Sequence, residues 1–137
     1  MTHFRSNTEV TLSRRVALKI LNTVEQGQKL DVAFTALSEN LNPRDRSWCR
    51  ELVYGVQRLR GRIDYLLNRK IQKGINSLNS TVRDTLRMSL YQILYMSSVP
   101  EYAAVSQAVE LIRSTEGESA TGFVNAVLRA TVADGDG

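Results

Sequence analysis

NPRDRSWCRELVYGVQRLRGRIDYLLNR, residues 42–69, is the stretch that decides the fold class. Asn42 is a good helix cap, and Pro43 at the first helical position loses no useful N–H. Apolar residues then fall at Trp48, Leu52, Val56, Leu59, Ile63 and Leu66. Steps of three and four put them on one face of a helix reaching about residue 69. Gly55 lies on that face too. A glycine there costs about 1 kcal/mol of helix propensity, and it permits another helix to approach closely. Gly61 allows a bend or break, so the stretch forms one long helix or two.

The same periodicity extends outward in both directions. Upstream, a helix is predicted over 12–26, capped by Thr11 or Ser13 and ended by Gly27. A shorter one follows over 31–40, with Asp31 as its cap and Ala33, Phe34 and Leu37 facing inward. Downstream, residues 71–80 form a connector. The next helix starts near Ser80 or Thr81, where Thr81 and Asp84 match a capping box. Its stripe is Val82, Leu86, Leu90, Ile93 and Leu94, with Tyr91, Gln92 and Tyr95 as a polar-aromatic edge. Pro100 opens another helix, with Glu101 complementing its dipole. A last helix over 120–132 carries Phe123, Val124, Val127 and Leu128 inward, and Asn125 bonds a neighbouring loop. No stretch alternates with period two. The expectation is an all-α single domain of six or seven irregularly packed helices over 12–132, a flexible arm over 1–11 and a frayed tail over 133–137.

Composition excludes much chemistry. With 137 residues, one domain is expected. A single cysteine, Cys49, allows no internal disulfide; beside Trp48 it is expected to be a small buried hydrophobe. One histidine, His3, together with Cys49 makes neither a zinc cage nor a nucleophile–imidazole pair. Gly55, Gly61 and Gly74 are too scattered for a phosphate loop. Glu51 and Asp64 lie 13 positions apart on one helix, too far to share a site. No apolar stretch resembles a signal peptide or a membrane span, so a cytoplasmic protein with no membrane association, no cofactor and no metal is expected.

Charge points elsewhere. The net charge is +4. Residues 1–75 hold 14 basic and 7 acidic residues, and residues 76–137 hold 4 and 7. Fourteen of the 18 basic residues are arginine, whose planar fork suits phosphate and stacks on bases. Tyr54, Arg58, Arg62, Tyr65 and Arg69 fall along one flank of the long helix's stripe, with Arg50 beyond Tyr54. Arginines interleaved with aromatic rings are the mixture that tracks an RNA backbone. Arg14, Arg15 and Lys19 begin the first helix, and Arg5 precedes it. The candidate RNA-binding residues are therefore Arg14, Arg15, Lys19, Arg50, Tyr54, Arg58, Arg62 and Arg69. Ordinary helix-surface ion pairs and packed tyrosines are the alternative for any one of them.

Three segments carry a family resemblance. Residues 50–58, RELVYGVQR, resemble a stretch of the NusB-like domain of RsmB-type ribosomal RNA cytosine-5 methyltransferases. Residues 99–111 (VPEYAAVSQAVEL) and 122–129 (GFVNAVLR) resemble two further segments of that domain, in the same order and spacing. The antitermination factor NusB shares the fold, and its basic first helix is partly echoed by Arg14 and Arg15. The middle and closing segments favour the methyltransferase-associated branch. The resemblance implies an all-helical NusB fold that binds ribosomal or boxA-like RNA, with an S10-like ribosomal protein or a methyltransferase domain as partner. It implies no catalysis by this chain: no cofactor loop follows, and Cys49 follows Trp48 rather than a proline. An excised N-terminal domain and a free-standing protein both fit. So does a rival function, a helical protein-interaction or dimerisation module with incidental RNA contact.

Overall fold

The computed structural model describes residues 9–135. The expectations for His3, Arg5 and the rest of the arm before Glu9, and for residues 136–137, lie outside them. Seven α-helices make up the described residues: α1 (Leu12–Glu25), α2 (Leu30–Leu37), α3 (Pro43–Arg58), α4 (Arg60–Asn68), α5 (Ser80–Tyr95), α6 (Glu101–Glu116) and α7 (Thr121–Asp134). Short 3-10 turns at Ile75–Ser77 and Glu118–Ala120 join α4 to α5 and α6 to α7. No strand occurs among the described residues. The expectation of an all-α fold with six or seven helices holds.

Local chemistry explains most boundaries. The Thr11 and Asn42 side chains accept the Arg14 and Asp45 N–H groups at the starts of α1 and α3. Gly27, at φ 113°, ends α1 with a backbone that L side chains rarely adopt. Four expectations are corrected. The 42–69 helix breaks at Leu59 (φ −107°, ψ 18°), two residues before Gly61. Lys29, not Asp31, stands at the cap position of α2, and Asp31 lies in its first turn. The cap of α5 is Asn79, which accepts the Val82 N–H at 2.9 Å; Thr81 and Asp84 form no capping box because Asp84 turns into the core. Phe123 is exposed rather than inward-facing.

Described residues on both sides of 12–132 contact the helices. The Thr11 N–H donates to Gln107 Oε1 at 3.0 Å, and Gln107 Nε2 donates to the Glu9 carbonyl at 2.8 Å. Residues 9–11 are thus pinned to α6. At the other end α7 continues through Asp134, whose carboxylate pairs with Arg69 and Lys70.

Helix α5 is the axis of the domain and packs on α1, α3, α4, α6 and α7. Every residue from Asp84 to Gln92 is buried, so Tyr91 and Gln92 of the polar-aromatic edge are packed inside and only Tyr95 stays half-buried. Tyr91 lies against Gly55 of α3, where an added Cβ would sit 2.1 Å from the ring's Cζ. The close approach expected at Gly55 is therefore made by a tyrosine.

An ionic cluster unforeseen in the sequence crosses this core. Arg87, 2% exposed, donates to Asp64 at 2.8 and 2.9 Å, to Glu25 at 2.8 Å and to Asp84 at 3.1 Å. Arg83 also donates to Glu25, at 2.8 Å. Three carboxylates thus share two close guanidinium groups, with Arg60 4.0 Å away at the rim. Burial resists the charge on Glu25, but the bonds from Arg83 and Arg87 outweigh it and hold its carboxyl below the usual range. Burial, with the Glu25 charge beside it, pushes Asp84 from 3.8 up to about 6. Asp84 Oδ2 is buried without a hydrogen-bond partner, the surroundings that disfavour the ionised form.

This has a measurable sign. The folded protein keeps the Asp84 proton to higher pH than the unfolded chain, so this group's contribution to stability falls as pH rises from about 4 to about 6. Asp84→Asn keeps an acceptor for Arg87 and places a donor where the proton sat. Its stability relative to wild type is expected to rise by more than about 1 kcal/mol between pH 4.5 and pH 7 in urea titrations. A difference that is flat with pH would contradict the assignment.

Candidate nucleic-acid interface

Where α1, α3 and α6 meet, a groove of about 570 Å³ opens to solvent. Its centre is Arg14 on Trp48: the guanidinium lies 5.0 Å from the indole centroid. Arg14 is fixed on three sides. Its Nε donates to buried Gln92 Oε1 at 2.9 Å, its Nη1 to Thr11 Oγ1 at 3.3 Å, and Trp48 supports its plane. Burial pushes the guanidinium down to about 10, so it stays cationic at neutral pH. Arg44 and Ser47 of α3 line the groove, as do Ser98 and Pro100 at the start of α6. No side chain caps α6, and Glu101 in its first turn complements the positive dipole end. Glu51 also lines the groove, where a carboxylate suits a ribose hydroxyl or base amino group better than a phosphate. Asp45, the other acidic lining residue, is occupied by Asn42.

The eight candidates do not form one site. Arg14 is half-buried and acts as a fixed wall of the groove, while Arg15 and Lys19 are exposed on α1. Arg15 makes one weak bond, to Ser114 Oγ at 3.3 Å. Arg50 and Tyr54 belong to a second group with α2: the Arg50 guanidinium stands 4.3 Å from the Tyr54 centroid and 5.7 Å from that of Phe34. Arg58 reaches back toward the core to donate to the Tyr91 hydroxyl at 3.4 Å. Past the break at Leu59, Arg62 and Arg69 flank Tyr65 at 5.6 and 5.8 Å, and Arg69 also pairs with Asp134. The continuous flank expected on a single long helix is thus divided, because α4 takes a new direction.

The sequence reading left out Arg44, Arg46, Phe34 and the groove role of Trp48. Trp48 sits on the apolar stripe, and only the neighbouring start of α6 leaves part of it at a groove. Cys49, fully buried, behaves as expected: burial pushes its thiol up to about 12, which removes it as a nucleophile. Asn125 is half-buried and accepts from Arg129 Nε at 3.0 Å within its own helix, not from a loop. Among the described residues no group of His, Cys, Asp and Glu is arranged to hold a metal, and no helix is long and apolar enough to cross a membrane.

Comparison with known proteins follows this geometry. A family model described as NusB family matches residues 11–133. Ribosomal RNA small subunit methyltransferase B from Escherichia coli O157:H7 (strain EC4115 / EHEC) is 30% identical over 118 residues, covering 86% of this chain and 27% of that protein. The protein of that name from Escherichia coli O1:K1 / APEC has the same identity and coverage. This chain therefore spans about a quarter of the length of the curated relatives it matches. A chain in the crystal structure of antitermination factors NusB and NusE in complex with dsRNA has the same fold. The TM-score is 0.82 at 22% identity, with 98% of this chain and 99% of that one covered. The solution structure of NusB from Aquifex aeolicus gives a TM-score of 0.73 at 22% identity over 88% of this chain and 85% of that one.

Proposed function

The chain belongs to the NusB family, and from that membership we propose that it is a non-catalytic RNA-binding domain that engages ribosomal or boxA-like RNA. The family match fills residues 11–133, so these 137 residues contain no methyltransferase catalytic domain like that of the longer relatives. The work proposed is positioning RNA in the cytoplasm, for rRNA methylation as the N-terminal domain of such an enzyme or for transcription antitermination. The observation that carries the reading is the Arg14–Trp48 pair beside the uncapped start of α6. A rigid, desolvated guanidinium loses little entropy on meeting a phosphate. Arg44 adds a second attraction for the same charge. Arg15 and Lys19 extend the cationic surface along α1.

The test uses residues whose loss leaves the core intact. Arg15→Glu with Arg44→Glu is expected to weaken binding of a structured ribosomal RNA fragment at least tenfold in low salt. The slope of log K against log salt should flatten by roughly 1.4, as two single-strand phosphate contacts require. Unchanged affinity and slope in filter binding would remove the RNA face.

A protein partner has its own supporting feature. Tyr102 is 74% exposed and Phe123 39%, and a second groove of about 320 Å³ between α6 and α7 is lined by Tyr102, Val109 and Gly122. Aromatic anchors beside a recess suit a protein such as an S10-like subunit or a methyltransferase domain. Light scattering that finds a stable dimer unable to take RNA would favour this reading over the first.

A further inference from the structure

On the other side of the start of α3, a separate groove of about 400 Å³ is lined by Phe34, Thr35, Leu41, Arg46, Ser47 and Arg50. Two guanidinium groups converge there on one ring: Arg46 stands 5.0 Å and Arg50 5.7 Å from the centroid of buried Phe34. The two arginines lie one helical turn apart, and among the described residues neither pairs with a carboxylate. Like charges at that spacing repel, so the arrangement awaits an anion. It is also built. Fully buried Ser38 donates to the Phe34 carbonyl at 2.6 Å and accepts Arg46 Nε at 2.9 Å, which leaves both Nη groups of Arg46 unused. Tyr54, edge-on to Phe34 at 6.0 Å, holds Arg50 from its second side. By contrast Arg83, Arg87 and Arg113 are all committed to carboxylates.

We infer that Arg46 and Arg50, backed by Phe34 and Tyr54, form a second phosphate-binding site. Two planar forks on aromatic supports, with Ser47 beside them, match the oxygens of a phosphate group. Ser47 lines this groove and the Arg14–Trp48 groove alike. A phosphodiester strand crossing the start of α3 would meet both sites in succession, which favours a nucleic-acid strand over a free phosphate. To that extent the inference rests on the RNA reading.

Two ligands and two variants separate the possibilities. The probes are a single-stranded oligoribonucleotide about 12 nucleotides long and inorganic pyrophosphate. Arg46→Ala with Arg50→Ala is expected to lower oligonucleotide affinity about tenfold and to flatten the salt slope by roughly 1.4. Arg46→Lys with Arg50→Lys keeps the charge but loses the forks, so it should keep the slope and bind several-fold more weakly. Thermal melts check both folds, and the lysine pair decides if the alanine pair does not fold. Wild-type affinity for both probes in a folded alanine pair, or wild-type oligonucleotide affinity in the lysine pair when the alanine pair does not fold, would overturn the site. Pyrophosphate binding lost in the variants, with no RNA bound by wild type, would keep the site for free phosphates and sink the RNA reading. Oligonucleotide binding that depends on Arg15 and Arg44 but not on Arg46 and Arg50 would do the reverse.

Discussion

Arg87→Met is expected to destabilise the domain by about 3–5 kcal/mol, the cost of breaking a buried ion network on one side. The melting temperature should then fall by on the order of 10–20 °C. Methionine fills much of the arginine's volume, so the loss comes from charge rather than from a cavity. Asp64, Glu25 and Asp84 would be left facing one another with Arg83 as the only close cation. Asp84 is as buried as Arg87 and cannot turn to water. The same logic predicts partial rescue. Adding Glu25→Gln to Arg87→Met removes one of the stranded charges and should recover part of the melting temperature. If Arg87→Met alone melts within a few degrees of wild type, the cluster contributes far less than its geometry indicates.

Gly55→Ala poses a conflict that magnitudes decide. Alanine gains about 1 kcal/mol of helix propensity over glycine. Its Cβ, however, would sit 2.1 Å from Cζ and 2.2 Å from the hydroxyl oxygen of Tyr91. That ring is 3% exposed, with Tyr95 5.2 Å away centroid to centroid, so it has little room to withdraw. Overpacking of this kind costs about 1–3 kcal/mol, and contact this short belongs at the upper end. The net expectation is a loss of about 2 kcal/mol in urea unfolding. Tyr91→Leu in the same chain should return part of it, since the shorter side chain vacates the clash. A stabilised Gly55→Ala protein would mean that α3 and α5 do not approach as closely as described.

These two predictions mark where the sequence could be followed and where it could not. The helices were legible because Val82, Leu86 and Leu90 or Val16, Ile20, Leu21 and Val24 repeat at helical spacing, and Pro43 and Gly27 punctuate the chain. Gly55 could be assigned a packing role from its place on an apolar face, though not its partner. Arg87 could not be assigned at all. An arginine in a helix is ordinarily solvated, and its burial depends on Glu25 and Asp64, which lie 62 and 23 positions away. The cap of α5 failed for the same reason: Thr81 and Asp84 have capping-box spacing, but Arg87 draws Asp84 inward.

The candidate site was legible as composition rather than as geometry. Arginine and tyrosine interleave along the stretch, and Arg50 stacks on Tyr54. The break at Leu59 then separates Arg62 and Arg69 from that pair, and Asp134, 65 positions beyond Arg69, takes up part of its charge. The Arg14–Trp48 pair joins residues 34 positions apart, which no helical wheel can display. Charge counted along the sequence therefore overstates what is free to meet a ligand. Arg60, Arg69 and Lys70 all have acidic neighbours, whereas among the described residues Arg44, Arg46 and Arg50 pair with no carboxylate.

Trp48 is the only tryptophan in the chain, so its fluorescence reports directly on the proposed RNA groove. Titration with a structured ribosomal RNA fragment is expected to change its emission saturably. The midpoint should move to higher RNA concentration as salt rises, and Arg15→Glu with Arg44→Glu should shift it further. RNA that binds by filter assay yet leaves Trp48 emission unchanged, or that fails to bind at all, would contradict the account.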